Sequence, residues 1–206
     1  MTIMEIYGEF KPYLTKIRDD VLGKLNALNQ KEIANNKTKL YEHLIGRVKT
    51  EESMTEKCQR KGFPLSPQGA LYDCKDAIGV RIVCNFIDDV YRAIELLKAA
   101  DWCTVVKEKD YITHSKPNGY RSYHLILKVA TSYPAIAEAT PGGYFVEVQL
   151  RTIAMDSWAS LEHEMKYKHT IENSKQIVKE LKRCADQLAS CDVQMQTIRQ
   201  LIHENH

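Results

Sequence analysis

The chain has 206 residues, of which 44% are hydrophobic and 27% charged, and its formal net charge is +2. That length suits one domain of ordinary size, and the composition is globular and not disordered. A charge so near zero excludes an overall polyanion-binding surface, so any affinity for phosphate must come from local clusters of Lys and Arg.

From about residue 5 to 28, Ile6, Phe10, Tyr13, Ile17, Val21 and Leu25 recur at three- and four-residue spacing and predict an amphipathic helix. The polar NQKEIANNKTK that follows reads as a loop or a fraying helix end. YEHLIGRVKT opens with a short strand. SMTEKCQRKG reads as a helix closed by Gly62 and Pro64, with Ser53 and Glu56 spaced as a capping box. AIGVRIVCNF, rich in β-branched residues, is the best central strand, and DDVYRAIELLKAA is a short amphipathic helix with Asp at its start. TVVKEKDYI and YRSYHLILKVA predict two strands joined by the turn SKPNG. TPGGYFVEVQLRT predicts a further strand entered through a Gly-Gly turn, and TIAMDSWASLEHEMKYK a helix.

The C-terminal segment carries Ile177, Leu181, Cys184, Leu188, Cys191, Met195, Ile198 and Ile202 in alternating steps of four and three, a heptad seam. Such a stripe faces either the chain's own N-terminal helix or the same helix of another subunit. The expected organisation is a single domain, residues 1–206, with a core from about 40 to 170 and a C-terminal helix from about 173 to 204. Its class is α/β (α+β), a mixed β-sheet with helices over it. The six cysteines lack CxxC or Cys/His ligand spacing and read as reduced thiols. No stretch approaches the roughly 18 apolar residues of a membrane helix, and MTIMEIYGEFKPYL has no basic region followed by an apolar core. The expected location is the cytoplasm.

Chemistry concentrates in KDYITHSKPNGYRSYH and in VEVQLRT. Strand alternation puts Glu147, Gln149 and Arg151 on one face, either exposed to solvent or forming an active-site wall. Asp76, just before AIGVRIV, is the second carboxylate that could hold Mg²⁺ together with substrate oxygens. Arg47 and Lys49 alternate on a strand, Lys57, Arg60 and Lys61 follow on the next helix, and Arg81 sits inside an apolar strand where a guanidinium needs a carboxylate, a phosphate or an aromatic plane. Tyr120, at the exit of a tight turn, reads either as a platform for a base or as a sheet tyrosine with a wet hydroxyl. His43 and His114 read as structural, whereas His124 and His163 stay open. Neither a P-loop nor a G-x-G-x-x-G loop is present.

GRVKTEESMTEK, DAIGVR, KDYI with KPNGYRSYH, and VEVQLRTIAMDSWASLEHEMKYK together resemble the synthetase domain of RelA/SpoT-type alarmone synthetases, most of all the single-domain small alarmone synthetases, over roughly residues 40 to 170. The resemblance implies transfer of pyrophosphate from ATP to the 3′-hydroxyl of GDP or GTP, giving (p)ppGpp. It implies that Arg47 and Arg81 sandwich the adenine and that Lys49, Lys57 and Arg60 or Lys61 hold the ATP phosphates. Asp76 and Glu147 would ligate Mg²⁺, with Glu147 also the base. Lys107, Lys109, Lys116, Asn118, Tyr120, His124, Gln149 and Arg151 would form the acceptor side, with Tyr120 stacked on guanine. A homotetramer built through terminal helices and some binding of single-stranded RNA are further expectations. Alternative readings are another acceptor, such as a tRNA 3′-end or an adenosine nucleotide, and a non-catalytic nucleotide- or RNA-binding regulator.

Overall fold

The computed structural model describes residues 5–36, 38–134, 143–168 and 174–204. After a 3₁₀ turn (Gly8–Phe10), the elements are α1 (Lys11–Asn36), β1 (His43–Val48), α2 (Glu51–Lys61), a π-helical turn (Gln68–Asp73), β2 (Ile78–Cys84), α3 (Ile87–Lys98), β3 (Cys103–Asp110), β4 (Tyr123–Ala130), β5 (Gly143–Thr152), α4 (Ile153–Lys168) and α5 (Ser174–Glu204). The five strands form one mixed sheet in the order β1-β2-β5-β4-β3. Only β2 and β5 run parallel, which requires a long crossover; α3, β3 and β4 supply it. The mixed sheet flanked by helices was legible in the sequence.

Alternation on the strands sorts the two faces. Val80, Ile82, Leu125, Leu127, Val148 and Leu150 are at most 2% exposed and make one core with Leu14, Ile17 and Val21 of α1 and Ile94 and Leu97 of α3. The polar residues between them are left on the other face.

Several local expectations need correction. The first helix starts at Lys11, so Ile6 and Phe10 are buried from the preceding turn instead. It also runs on to Asn36, through the stretch read as a loop. The helical face continues there with polar residues that are buried and partnered: Asn29 Oδ1 accepts from the Leu40 backbone N–H at 2.7 Å, and Glu32 pairs with Arg92. α2 begins earlier than its supposed capping box. Thr50, not Ser53, is the N-cap, its hydroxyl accepting from the Ser53 N–H at 3.2 Å. Gly62 does close α2, in the left-handed conformation. The Gly-Gly turn lies outside the described residues. All six cysteines are free thiols.

The heptad seam of α5 splits along its length. Its first half packs on α4, burying Leu181 and Ala185 with Trp158 and Ala159, while Arg199 reaches Asp89 at the start of α3. The expected seat on α1 is therefore taken by α4 and α3, whose apolar and acidic groups complement it. Met195, Ile198 and Ile202 remain about half exposed.

Candidate active site

Register brings the polar residues into two rows across one sheet face. Arg47 pairs with Gly79, Gly79 with Glu147, Glu147 with Ile126, and Ile126 with Lys107. Two residues further along, Ile45, Arg81, Gln149, His124 and Lys109 form the second row. A bulge between Val105 and Lys107 shifts the register of β3 and puts both lysines on this face.

Two cavities open on the rows. One, of about 190 Å³, is lined by Arg47, Lys49, Gly79, Arg81, Gln149 and Glu147. The other, of about 430 Å³, is lined by Lys57, Lys61, Asp76, Lys107, Lys109, Tyr111, Lys116, His124 and Glu147. Glu147 faces both. The first cavity presents two guanidinium groups, and the second is ringed with lysines around three carboxylates, Asp73, Asp76 and Glu147.

Asp76 is 5% exposed. Its Oδ2 is shared by the ammonium groups of Lys49 and Lys57. The two lysines respond differently to the same carboxylate. Burial wins at Lys49 and pulls its pKa down, whereas at Lys57 the hydrogen bond and charge of Asp76 outweigh burial and hold it up. The other oxygen, Oδ1, is buried with no hydrogen-bond partner. A buried carboxylate oxygen left unpaired is costly, and a cation bound beside it removes that cost. Among the described residues no three His, Cys, Asp or Glu cluster as metal ligands. Asp76 and Glu147, two of the carboxylates in the lysine-lined cavity, instead suit Mg²⁺, which completes its shell with substrate phosphates and water. The residues present fit that ion.

Glu147 sits at the head of a hydrogen-bonded chain. Its carboxylate meets His124 Nδ1 at 3.3 Å and accepts from Gln149 Nε2 at 3.0 Å. His124 Nε2 lies 2.8 Å from the Tyr120 hydroxyl, which accepts from Arg151 Nη2 at 2.7 Å. The chain is satisfied when Tyr120 donates to Nε2 and Nδ1–H donates to Glu147. Burial alone would raise the Glu147 pKa. The hydrogen bonds from His124 and Gln149 and the charge of Lys49 outweigh it and hold the carboxyl down at about 2.

The turn before β4 is built as its composition predicts. Pro117 occupies the second position, Gly119 N–H closes onto the Lys116 carbonyl at 2.8 Å, and Gly119 has φ 92°. The loop is pinned from behind by α4 and α5. Asn118 Nδ2 donates to Glu162 Oε1 at 3.0 Å and Arg121 Nη2 to Asp186 at 3.3 Å, while Trp158 Nε1, donating to the Leu181 carbonyl at 2.9 Å, ties α4 to α5. The Tyr120 ring carries Lys116 Nζ at 4.5 Å and the Arg151 guanidinium at 5.2 Å.

Most predicted residues are thus brought together, with five departures. Asn118 and Tyr120 line neither cavity, although Tyr120 touches His124 and Lys116 of the lysine-lined one. Arg60 is exposed and lines neither cavity, because Lys57 and Lys61 occupy the inward face of α2. Arg151, expected on the acceptor side, is 4% exposed and spends its donors on Asp156, Ser122, Gln149 and Tyr120; it braces the wall from inside. Gln149, also expected on the acceptor side, lines the cavity of the two arginines, not the lysine-lined one. Sequence reasoning missed Tyr111, whose ring meets His124 at 5.4 Å edge-on, and Asp156, which pairs with Arg81 at 3.2 Å and Arg151 at 3.0 Å. Tyr111 continues the alternation of Lys107 and Lys109, which is the signal that could have found it; Asp156 approaches only through the α4 packing.

A mixed sheet with helices on its flanks and carboxylates ringed by cations at its centre suits an α/β enzyme that transfers a phosphoryl-type group between nucleotides. The family model described as "Region found in RelA / SpoT proteins" matches residues 46–172, and the chain belongs to that family. It is 43% identical over 145 residues to the GTP pyrophosphokinase YwaC of Bacillus subtilis, covering 70% of this chain and 67% of that protein. It also resembles two solved structures of small alarmone synthetase 1 from Bacillus subtilis. The one bound to its product pppGpp is 32% identical, with 92% of this chain and 94% of that one covered and a TM-score of 0.79. The one bound to AMPCPP is 29% identical, with 93% and 94% covered and a TM-score of 0.69.

Proposed function

We propose that this chain is a GTP pyrophosphokinase that joins donor and acceptor at Glu147, transferring pyrophosphate from ATP to the 3′-hydroxyl of GDP or GTP to make (p)ppGpp. The observation that carries the reading is the meeting of the arginine cavity and the lysine cavity at that one carboxylate.

Adenine lies between Arg47 and Arg81, two guanidinium planes on adjacent strands with the side-chain-free Gly79 between them. Lys49, Lys57 and Lys61 hold the ATP phosphates. Guanine stacks on Tyr120, taking the place of the Lys116 ammonium, which moves to the acceptor phosphates beside Lys107, Lys109 and His124. Asn118, already paired with Glu162, presents polar groups to the base edge. Asp76 and Glu147 would hold Mg²⁺, which would neutralise charge on the polyphosphate and polarise the β-phosphorus.

The acceptor 3′-oxygen bonds to the β-phosphorus as the bond from that phosphorus to the α,β-bridging oxygen breaks. AMP leaves with the electron pair, and the hydroxyl proton passes to Glu147. A carboxylate held so acidic is a weak base. That suffices where the transition state is loose and the oxygen loses its proton late, so that positioning and charge neutralisation dominate. The neighbours of Glu147 therefore keep it ionised and aimed.

The tightest assay supplies ATP labelled in its terminal phosphate with GDP, GTP, GMP, ADP or tRNA in turn. Label is expected on the guanosine nucleotides and not on ADP or tRNA; a preference for tRNA or ADP would overturn the acceptor assignment. Gly79→Val tests the donor side. A Cβ at Gly79 meets only Arg47 Cγ at 4.0 Å, so the fold has room for the side chain but the nucleotide does not. ATP affinity is expected to fall on the order of tenfold, the effect of about 1.4 kcal/mol, with the thermal midpoint little changed; unaltered ATP binding in a titration would place the donor elsewhere. The acidity of Glu147 has its own consequence. Because its folded pKa lies below the ordinary value of 4.5, its stabilising contribution is full above that value and is lost as pH falls toward about 2. Carbon NMR of labelled glutamate is expected to show the Glu147 carboxyl fully ionised from pH 8 to pH 5, and a midpoint within that range would contradict the hydrogen-bonded chain.

Assembly through the half-exposed α5 residues Met195, Ile198 and Ile202 and action in the cytoplasm complete the reading. Among the described residues no helix is long and apolar enough to cross a membrane.

A further inference from the structure

Two unusual backbone features stand together just before Asp76. Gln68–Asp73 form a π-helical turn, a rare geometry that concentrates at functional sites. Two residues later, Lys75 has φ 61°, the only non-glycine residue among the described ones in the left-handed region. A residue with a Cβ adopts that conformation only at a steric cost, so something must hold it there. The lysine side chain supplies the hold. Its ammonium lies 5.3 Å from the centre of the Tyr72 ring and 5.2 Å from that of Phe145, and the two rings meet edge to face at 5.7 Å. A cation over aromatic faces is attracted to them, and that attraction opposes the strain.

The rings belong to different parts of the fold. Tyr72 is in the π-helical turn, while Phe145 is on β5, two residues before Glu147 and on the same sheet face. We propose that Lys75, clamped by Tyr72 and Phe145, is a positioning residue that sets the Asp76 carboxylate against the Glu147 carboxylate so that both reach one divalent cation. This rests on the metal assignment made above. The left-handed bend at Lys75 turns the chain out of the π-helical turn, so that Asp76 enters the cleft while the Ala77 carbonyl already accepts from Lys49 N–H at 2.8 Å. Without the clamp the bend relaxes toward ordinary backbone angles and carries Asp76 away from Glu147. Lys75 also lines the cleft, so its other possible role is direct contact with phosphate. The two roles differ in one respect: a clamp needs the rings, and a phosphate contact does not.

The test measures Mn²⁺ binding to the full chain by electron paramagnetic resonance, with AMPCPP present. Lys75→Met and Phe145→Leu are each expected to weaken Mn²⁺ binding about tenfold, the size typical of removing an outer partner of a metal ligand. The double variant is expected to lose no more than either single one, and Lys75→Arg to restore binding. AMPCPP affinity without metal stays at the wild-type value throughout. Lys75→Gly separates positioning from folding: it relieves the backbone strain, so its thermal midpoint should match or exceed the wild type while Mn²⁺ binding is still lost. Wild-type Mn²⁺ affinity in Lys75→Met, additive losses in the double variant, or weakened metal-free AMPCPP binding would each overturn the clamp. If the wild-type chain itself binds no Mn²⁺, the metal assignment falls and the clamp falls with it, a result distinct from the other three.

Discussion

Glu147→Gln is expected to lower turnover by about 10³-fold or more, combining the loss of a metal ligand with that of a proton acceptor, while ATP still binds. The substitution keeps the shape of the side chain, so Gln149 and His124 retain a neighbour, but it removes the charge that both of them, with Lys49, stabilise. Arg47 and Arg81 are untouched, and the donor cavity keeps its walls. The measurement is single-turnover formation of AMP, alongside calorimetric titration with AMPCPP. Turnover within tenfold of the wild type would remove Glu147 from the centre of the reaction. A variant that loses AMPCPP binding altogether would make Glu147 a donor-binding residue instead.

The second large effect is expected at Gly119→Ala. The glycine has φ 92°, where any L side chain is strained, and a Cβ there would come within 2.5 Å of Ala185 Cβ and 3.1 Å of Lys182 Cα. Helix backbone cannot yield cheaply at that distance, so the turn must lift off α5. Tyr120 follows directly and Asn118 precedes, and both move with it. KM for GDP and GTP is expected to rise by on the order of tenfold to a hundredfold, corresponding to about 1.4–3 kcal/mol, with KM for ATP within about twofold of wild type. Ala185→Gly in the same chain removes the nearest contact and is expected to recover part of the loss. Equal losses for both substrates would mean that the substitution damages the fold, and unchanged acceptor KM would separate the α5 packing from the acceptor site.

Local chemistry made much of this site legible in the sequence. Period-two alternation put Glu147 and Gln149 on one face, and proline followed by Asn-Gly fixed the turn ahead of Tyr120. Those signals act within a few residues of chain. What was missed depends on packing between distant segments. Arg151 sits on the same strand face as Glu147, yet the α4 carboxylate of Asp156 and the hydroxyl of Ser122 draw it into the interior. Nothing within its own strand distinguishes a buried guanidinium from one in the cleft. The extension of α1 through Asn29 and Glu32 was hidden because polar side chains occupy the buried face, each satisfied by a partner far along the chain: Leu40 for Asn29 and Arg92 for Glu32. The α5 seam is the same lesson at larger scale. Heptad spacing marks an apolar stripe, and what covers its first half is set by Trp158 of α4, while Arg199 beside the stripe is drawn to the acidic start of α3.

The central claim is that donor and acceptor meet at Glu147. It is tested most directly by a crystal structure of the chain with AMPCPP, GDP and Mg²⁺ bound together. The account predicts adenine between Arg47 and Arg81, guanine on Tyr120 where Lys116 Nζ now lies, and the GDP 3′-oxygen within hydrogen-bond reach of the Glu147 carboxylate. A GDP whose 3′-oxygen points away from Glu147, or guanine bound outside the lysine cavity, would contradict it.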